Sequence, residues 1–382
     1  MSRAMRWSEG PTRALAATEA THDAARDAGV EVGPTTGPVL EIEGLSIVYR
    51  SRPADVRAVD GVDLRLGRGE VVGLAGESGS GKSTLAYGAC RLLRAPAVIT
   101  GGRVTYRGRR TSWEAVDVLS AGPGGLRRLR WREIAIVFQS AMNALNPILS
   151  VRAQLEDVLK AHLSLDRHAR LERAGELLDL VGIPRDRLRS YPHELSGGMR
   201  QRVMIAMALA VDPELVIMDE PTTALDVVVQ REILSQIVEL KAQLGFSILL
   251  ITHDLSLLLE LADRVAVMYA GQLVEVGSAA DLHHRPAHPY TQGLLHSFPS
   301  LRGERRVLVG IPGSPPDLRA LPEGCPFRPR CGFARRGCEA VDMRLRPLTG
   351  PAGAVPQLSA CPFVGPGDGP ARAGSARGTS SS

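Results

Sequence analysis

The chain has 382 residues, 44% of them hydrophobic, which is enough to bury a sizeable core; at 4% aromatic content that core must be aliphatic. A formal net charge of +5 is a mild basic bias over such a length and reads as a solvated surface. No apolar run reaches the roughly 18 residues of a membrane-spanning helix, and no compact apolar leader precedes a cleavage site, so neither a transmembrane segment nor a signal peptide is expected.

Residues 1–38 are rich in Ala, Thr, Gly and charge, without clear periodicity, and read as a flexible extension. Order is expected from Val39. VLEIEGLSIVY alternates as a strand should, and VDLRL and the almost wholly apolar EVVGLAG are further strands. GSGKSTLAYGACRLL opens a helix, EIAIVFQ is a strand, and residues 150–182 carry helical faces such as Leu155, Val158 and Leu159. After the helix MRQRVMIAMALAV come two buried strands, ELVIMDE and FSILLITHD, separated by a helix whose Ile233, Ile237, Leu240 and Leu244 share a face. RVAVMYAGQLVEVG reads as a hairpin turning at Ala270–Gly271. Beyond residue 285 the composition shifts to Pro, Gly, Arg and Cys, marking a small appended domain over 286–364; residues 365–382 read as a disordered tail.

GESGSGKS (76–83) is a full G-x-x-x-x-G-K-[ST] match, placed between an apolar strand and a helix. The glycines let backbone N–H groups turn towards phosphate oxygens, and the helix start adds positive dipole. Gly76, Ser78, Gly79, Ser80, Gly81, Lys82, Ser83 and Thr84 form the candidate nucleotide-binding set: Lys82 reaches the outer phosphates and Ser83 ligates Mg2+. Asp219 and Glu220 end a buried strand, where paired carboxylates are costly unless they serve a cation or a proton transfer. Asp219 suits the Mg2+ side and Glu220 the base that polarises water. These motifs define a nucleotide-hydrolysing P-loop protein without choosing among kinases, helicases, GTPases and transporters.

LSGGMRQR (195–202) makes that choice, because it resembles the signature motif of ABC ATPases. The resemblance covers residues 39–285 and implies a P-loop NTPase ABC cassette of α/β class: a RecA-like core, an antiparallel β subdomain and a helical signature subdomain. It implies that Ser196, Gly197 and Gly198 contact ATP held by a second ABC ATPase subunit, with two ATPs sandwiched between the pair. Tyr49 matches the aromatic that stacks on adenine, and Gln139 the glutamine that senses Mg2+ and the attacking water. Ala224, Leu225 and Asp226 match the D-loop, and His253 the switch histidine at the γ-phosphate. Residues 140–150 match the segment that touches the permease. Met199, where many members carry Gln, is usual in the oligopeptide/dipeptide importer branch, and HPYTQGLLHSFP (288–299) is similar to that branch's C-terminal motif.

Four of the five cysteines, Cys325, Cys331, Cys338 and Cys361, lie in the tail, and such clustering points to metal rather than disulfides. Their thiolates suit one tetrahedral zinc or one iron–sulfur cluster, although C-x-x-C knuckles are absent. Resemblance to the branch favours a 4Fe-4S cluster, with zinc as the alternative. Cys90 reads as a small buried residue. The implied function is an ATP-hydrolysing subunit of a peptide importer at the cytoplasmic face of the cell membrane. Its partners are a second, paralogous ATPase chain, two transmembrane permeases and, indirectly, an extracytoplasmic solute-binding protein. A nickel or other small-solute importer of the same branch is the alternative. A soluble ABC ATPase acting on nucleic acid or the ribosome lacks support, since one cassette is present without coiled coil or DNA-binding insertions.

Overall fold

Alternation of aliphatic residues decides the architecture of this computed structural model, which describes residues 37–109, 115–139, 144–222, 225–297, 310–348 and 356–365. The strands β1 (Leu40–Tyr49), β2 (Val56–Leu66), β4 (Ala97–Tyr106) and β5 (Val116–Asp117) form an antiparallel sheet in the order β2-β1-β4-β5. Between them in sequence come β3 (Val71–Ala75) and helix α1 (Lys82–Ala89). Helix α2 (Pro123–Leu129) leads to β6 (Ile134–Val137). The helical region holds α3 (Val151–His162), α4 (Arg167–Leu180) and α5 (Gly197–Leu209). The chain then runs through β7 (Leu215–Asp219), α6 (Val227–Leu244), β8 (Ser247–Ile251), α7 (Leu255–Leu261), β9 (Arg264–Tyr269) and β10 (Gln272–Ser278). Helices α8 (Ala279–His284) and α9 (Pro289–Ser297) and the short strands β11 (Arg346–Pro347) and β12 (Leu358–Ser359) complete the described elements.

The second sheet has eight strands in the order β11-β12-β10-β9-β3-β8-β7-β6, parallel from β9 to β6. Its central strands are buried on both faces. Val71, Val216, Met218, Ile248, Leu250, Val265 and Val267 join one core with the helices. Their neighbours Val72, Leu74, Leu215, Ile217, Leu249, Ile251, Ala266 and Met268 join a second core with the antiparallel sheet and α1. Continuous apolar runs are what such a doubly covered parallel sheet requires.

The α/β cassette architecture holds. The hairpin turns where expected: Ala270 (φ 49°) and Gly271 (φ 83°) both take left-handed backbone. Three features differ from the sequence reading. Strand β2 starts at Val56, earlier than VDLRL suggests, and β4 is a whole strand with no clear apolar pattern, because its first seven residues are largely solvated. The cysteine-rich tail is not merely appended: β12 pairs with β10, so the tail extends the central sheet. The extension up to residue 36, Ala224 of the D-loop and the tail from residue 366 lie outside the described residues.

Candidate nucleotide site

Four parallel strands deliver the candidate residues from their C-terminal ends, where open α/β sheets present ligand-binding groups. The loop after β3 holds Gly76–Ser83, β6 leads to Gln139, β7 ends at Asp219 with Glu220 next, and β8 leads to His253. The sequence dictates the loop's shape through glycine. Gly76, Gly79 and Gly81 have φ of 149°, 77° and 107°. A Cβ on Gly76 would lie 2.3 Å from the Met268 carbonyl oxygen, and one on Gly81 2.2 Å from that of Ala58. Any side chain there would push the loop out of its cradle.

Lys82 is buried, and its Nζ donates to the carbonyls of Gly76 and Glu77, both at 2.8 Å. Burial pulls its pKa below the usual lysine value, while the carboxylates of Glu220, Asp219 and Glu77 pull it back up. Ser80 is buried, its hydroxyl oxygen has no hydrogen-bond partner, and Ser78 and Gly79 are exposed beside it. Asp219 is fully buried and accepts from Ser83 Oγ at 3.0 Å and Tyr87 Oη at 2.6 Å. Glu220 has φ 44°, a left-handed backbone that is rare for a glutamate and fits a residue held for function. Its carboxylate accepts from Gln139 Nε2 at 3.1 Å and lies 3.3 Å from His253 Nδ1. Tyr49, at the end of β1, meets Thr84 through their hydroxyls at 3.1 Å.

Lys82, Ser83, Asp219, Glu220, Gln139, His253, Thr84 and Tyr49 thus fall in one neighbourhood. The signature residues stand apart from this network. Ser196 is exposed and caps α5, its hydroxyl accepting from Met199 N at 3.3 Å. Tyr87 is a site residue that sequence reasoning missed. The signal was available, since it lies one helical turn after Ser83 and so faces the same carboxylate. Its burial and its bond to Asp219 hold the phenol proton firmly, with a pKa well above the ordinary tyrosine value.

The four tail cysteines line one pocket together with His288, Phe327 and Phe363. Burial pushes the Cys325 thiol up to about 11 and raises that of Cys331 as well. His288 is buried, accepts the Tyr290 N–H on Nδ1 at 3.1 Å, and leaves Nε2 without a partner. Among the described residues no three His, Cys, Asp or Glu side chains are arranged to hold a single metal ion. Cys90 is buried and its thiol is pushed up to about 12, as a packing residue requires.

Residues 59–223 match the ABC transporter family, and residues 274–338 match the oligopeptide/dipeptide transporter C-terminal region. A putative peptide import ATP-binding protein of Brucella abortus is 46% identical over 315 residues, 80% of this chain and 92% of the relative. The oligopeptide transport ATP-binding protein OppD of Escherichia coli K12 is 43% identical over 305 residues, 79% of this chain and 88% of OppD. Among solved structures, the dimeric bacterial ABC transporter cassette MJ0796 superposes with a TM-score of 0.55 at 26% identity, covering 63% of this chain and 98% of the cassette. The cbiO1 subunit of a Clostridium perfringens ABC transporter complex gives 0.54 at 28% identity, with 64% and 90% covered.

Proposed function

Because the chain belongs to the ABC transporter ATP-binding proteins of the oligopeptide/dipeptide branch, we propose that it hydrolyses ATP to energise a peptide importer. The observation that carries this reading is that Lys82 tied into the phosphate loop, the Ser83–Asp219 pair and the Gln139–Glu220–His253 cluster gather at neighbouring strand ends. The loop's turned backbone and the start of α1 bind the phosphates, and Lys82 Nζ, held by the Gly76 and Glu77 carbonyls, has its third hydrogen for a phosphate oxygen. Ser83 and Asp219 fit Mg2+, which supplies positive charge against the phosphates when bound. Glu220, oriented by Gln139 and His253, accepts a proton from the attacking water. The water oxygen bonds to the γ-phosphorus as the bond to the ADP oxygen breaks. Tyr49 stacks on adenine at the open side.

The second ATP-binding chain meets this one across Ser196, Gly197 and Gly198, which contact its nucleotide. Two transmembrane permeases take up the motion near Gln139, which places the chain at the cytoplasmic face of the membrane, with a solute-binding protein on the far side. Among the described residues no helix is long and apolar enough to cross a membrane.

In the tail, Cys325, Cys331, Cys338 and Cys361 would hold a 4Fe-4S cluster. All four line one pocket. The orphaned Nε2 of His288 beside that pocket offers a donor to ligand sulfur. When bound, the cluster would tie four chain segments to one centre.

The test is Glu220→Gln in the assembled membrane complex. Peptide-stimulated ATP turnover should fall by about a hundredfold or more while ATP affinity stays within about twofold, because only the proton acceptor is lost. Near-normal turnover removes Glu220 from this role. Equal iron and acid-labile sulfide in anaerobically purified chain supports the cluster, and one zinc without iron replaces it.

A further inference from the structure

The residue after Gly76 in the phosphate loop is Glu77, and three of its groups are held from outside the loop or hold the loop together. Its carboxylate receives both terminal nitrogens of Arg330, at 2.7 and 3.0 Å. Its backbone N–H donates to Tyr290 Oη at 2.8 Å. Its carbonyl accepts from Lys82 Nζ at 2.8 Å and from Ser80 N at 3.2 Å. Arg330 and Tyr290 both belong to the C-terminal region, and Arg330 immediately precedes Cys331.

The fork is held rigidly. The Arg330 side chain is 5% exposed and that of Glu77 27%. Arg330 Nε donates to the Pro312 carbonyl at 2.8 Å, and its guanidinium lies over the Tyr269 ring at 5.9 Å. Phe327 packs edge to face on Tyr269 and Tyr290, which lie tilted on each other, with centroids 4.5 to 5.4 Å apart. A partly buried, bidentate guanidinium–carboxylate pair fixes both position and orientation, which a single ammonium would not. Ser78 and Gly79 are the exposed part of the loop.

We propose that Arg330 is a positioning residue for the nucleotide site: together with Tyr290 it locks Glu77, and through the Glu77 carbonyl it sets Lys82 for the phosphates. Nucleotide affinity thereby depends on the folded state of the cysteine-bearing tail. The inference needs ATP binding at Gly76–Ser83 and holds whatever the cysteines carry.

The experiment titrates full-length, anaerobically purified chain with MgATP. The variants are Arg330→Gln, Arg330→Lys, Glu77→Gln and the double variant Arg330→Gln/Glu77→Gln, with melting temperature and iron content read alongside. Arg330→Gln and Glu77→Gln should each weaken MgATP binding by about fivefold or more, and the double variant by no more than the worse single, since both break one pair. Arg330→Lys keeps the charge without the fork and should recover part of the loss. In the assembled complex the KM for ATP should rise with kcat nearly unchanged. Affinities within about twofold of wild type for both single variants overturn the proposal, as do losses that multiply. Should Arg330→Gln fail to fold, Glu77→Gln and Tyr290→Phe decide the matter from the loop's side. If the wild-type chain binds no MgATP, the nucleotide-site reading has failed rather than the brace.

Discussion

Tyr87→Phe deletes one hydroxyl and keeps the ring, whose centroid lies 5.6 Å from that of Phe138. The lost group donates at 2.6 Å to Asp219, a carboxylate with no solvent exposure. Asp219 keeps Ser83 Oγ on its other oxygen at 3.0 Å, so half of its solvation remains. Hydrogen bonds to charged groups contribute about 1.5–3 kcal/mol, and a buried acceptor left unpaired costs a similar amount. The expected destabilisation is therefore about 2 kcal/mol, or a fall in melting temperature of about 4 °C, measured by thermal unfolding without nucleotide or Mg2+. Saturating MgATP gives Asp219 a positive partner and should shrink the difference. A change under about 0.5 kcal/mol in the absence of ligand would refute the reasoning, because it would mean that water reaches Asp219 in the variant and repairs the loss.

Two further perturbations separate the parts of the molecule. Ser196→Arg should leave MgATP binding by the isolated chain within about twofold, since the serine faces solvent and caps its own helix, while abolishing turnover in the assembled complex; a large affinity loss in a proven monomer would assign this loop to its own site. Glu275 is fully buried, and burial raises its pKa against the opposing hydrogen bonds from Ala287 N, Thr291, His288 N and Gln357. The folded chain then binds this proton more tightly than the unfolded chain. The favourable contribution is complete below the unfolded value near 4.5 and is lost as pH rises through the folded value. Urea unfolding should show Glu275→Gln gaining on the wild type from pH 5 to pH 8, and a constant gap would dismiss the linkage.

Legibility followed periodicity. Strands β3, β7 and β8 were visible because burial on both faces leaves a run of aliphatic residues, and their C-terminal ends carried the motifs that place Lys82, Asp219, Glu220 and His253. Strand β4 was not visible, because it is exposed over most of its length and buries apolar side chains only at its end. Tyr87 was overlooked since a tyrosine on an amphipathic helix is ordinarily packing, and only the register of α1 against β7 turns its hydroxyl into a partner for Asp219. The left-handed backbone of Glu220 has no signature in its own residue type.

The tail marks where reading along the chain stops working. Its composition separates it from the cassette, and on that basis its cysteines should be replaceable without touching ATP binding. Geometry argues otherwise. Strand β12 is two residues long, too short for any period, yet it extends the main sheet through β10. Leu318 accepts a hydrogen bond from Arg57 N on β2 at 3.3 Å, so the tail also reaches the edge of the antiparallel sheet. The contact with the greatest consequence, Arg330 to Glu77, joins positions 253 residues apart. A lone arginine among many in a basic segment carries no sequence mark of such a partner. The segment is held by Tyr290, Leu294 and Phe327 in the core and by specific polar contacts, one of which ends on the phosphate loop. Order in the tail and order at the nucleotide are therefore two readings of the same set of bonds.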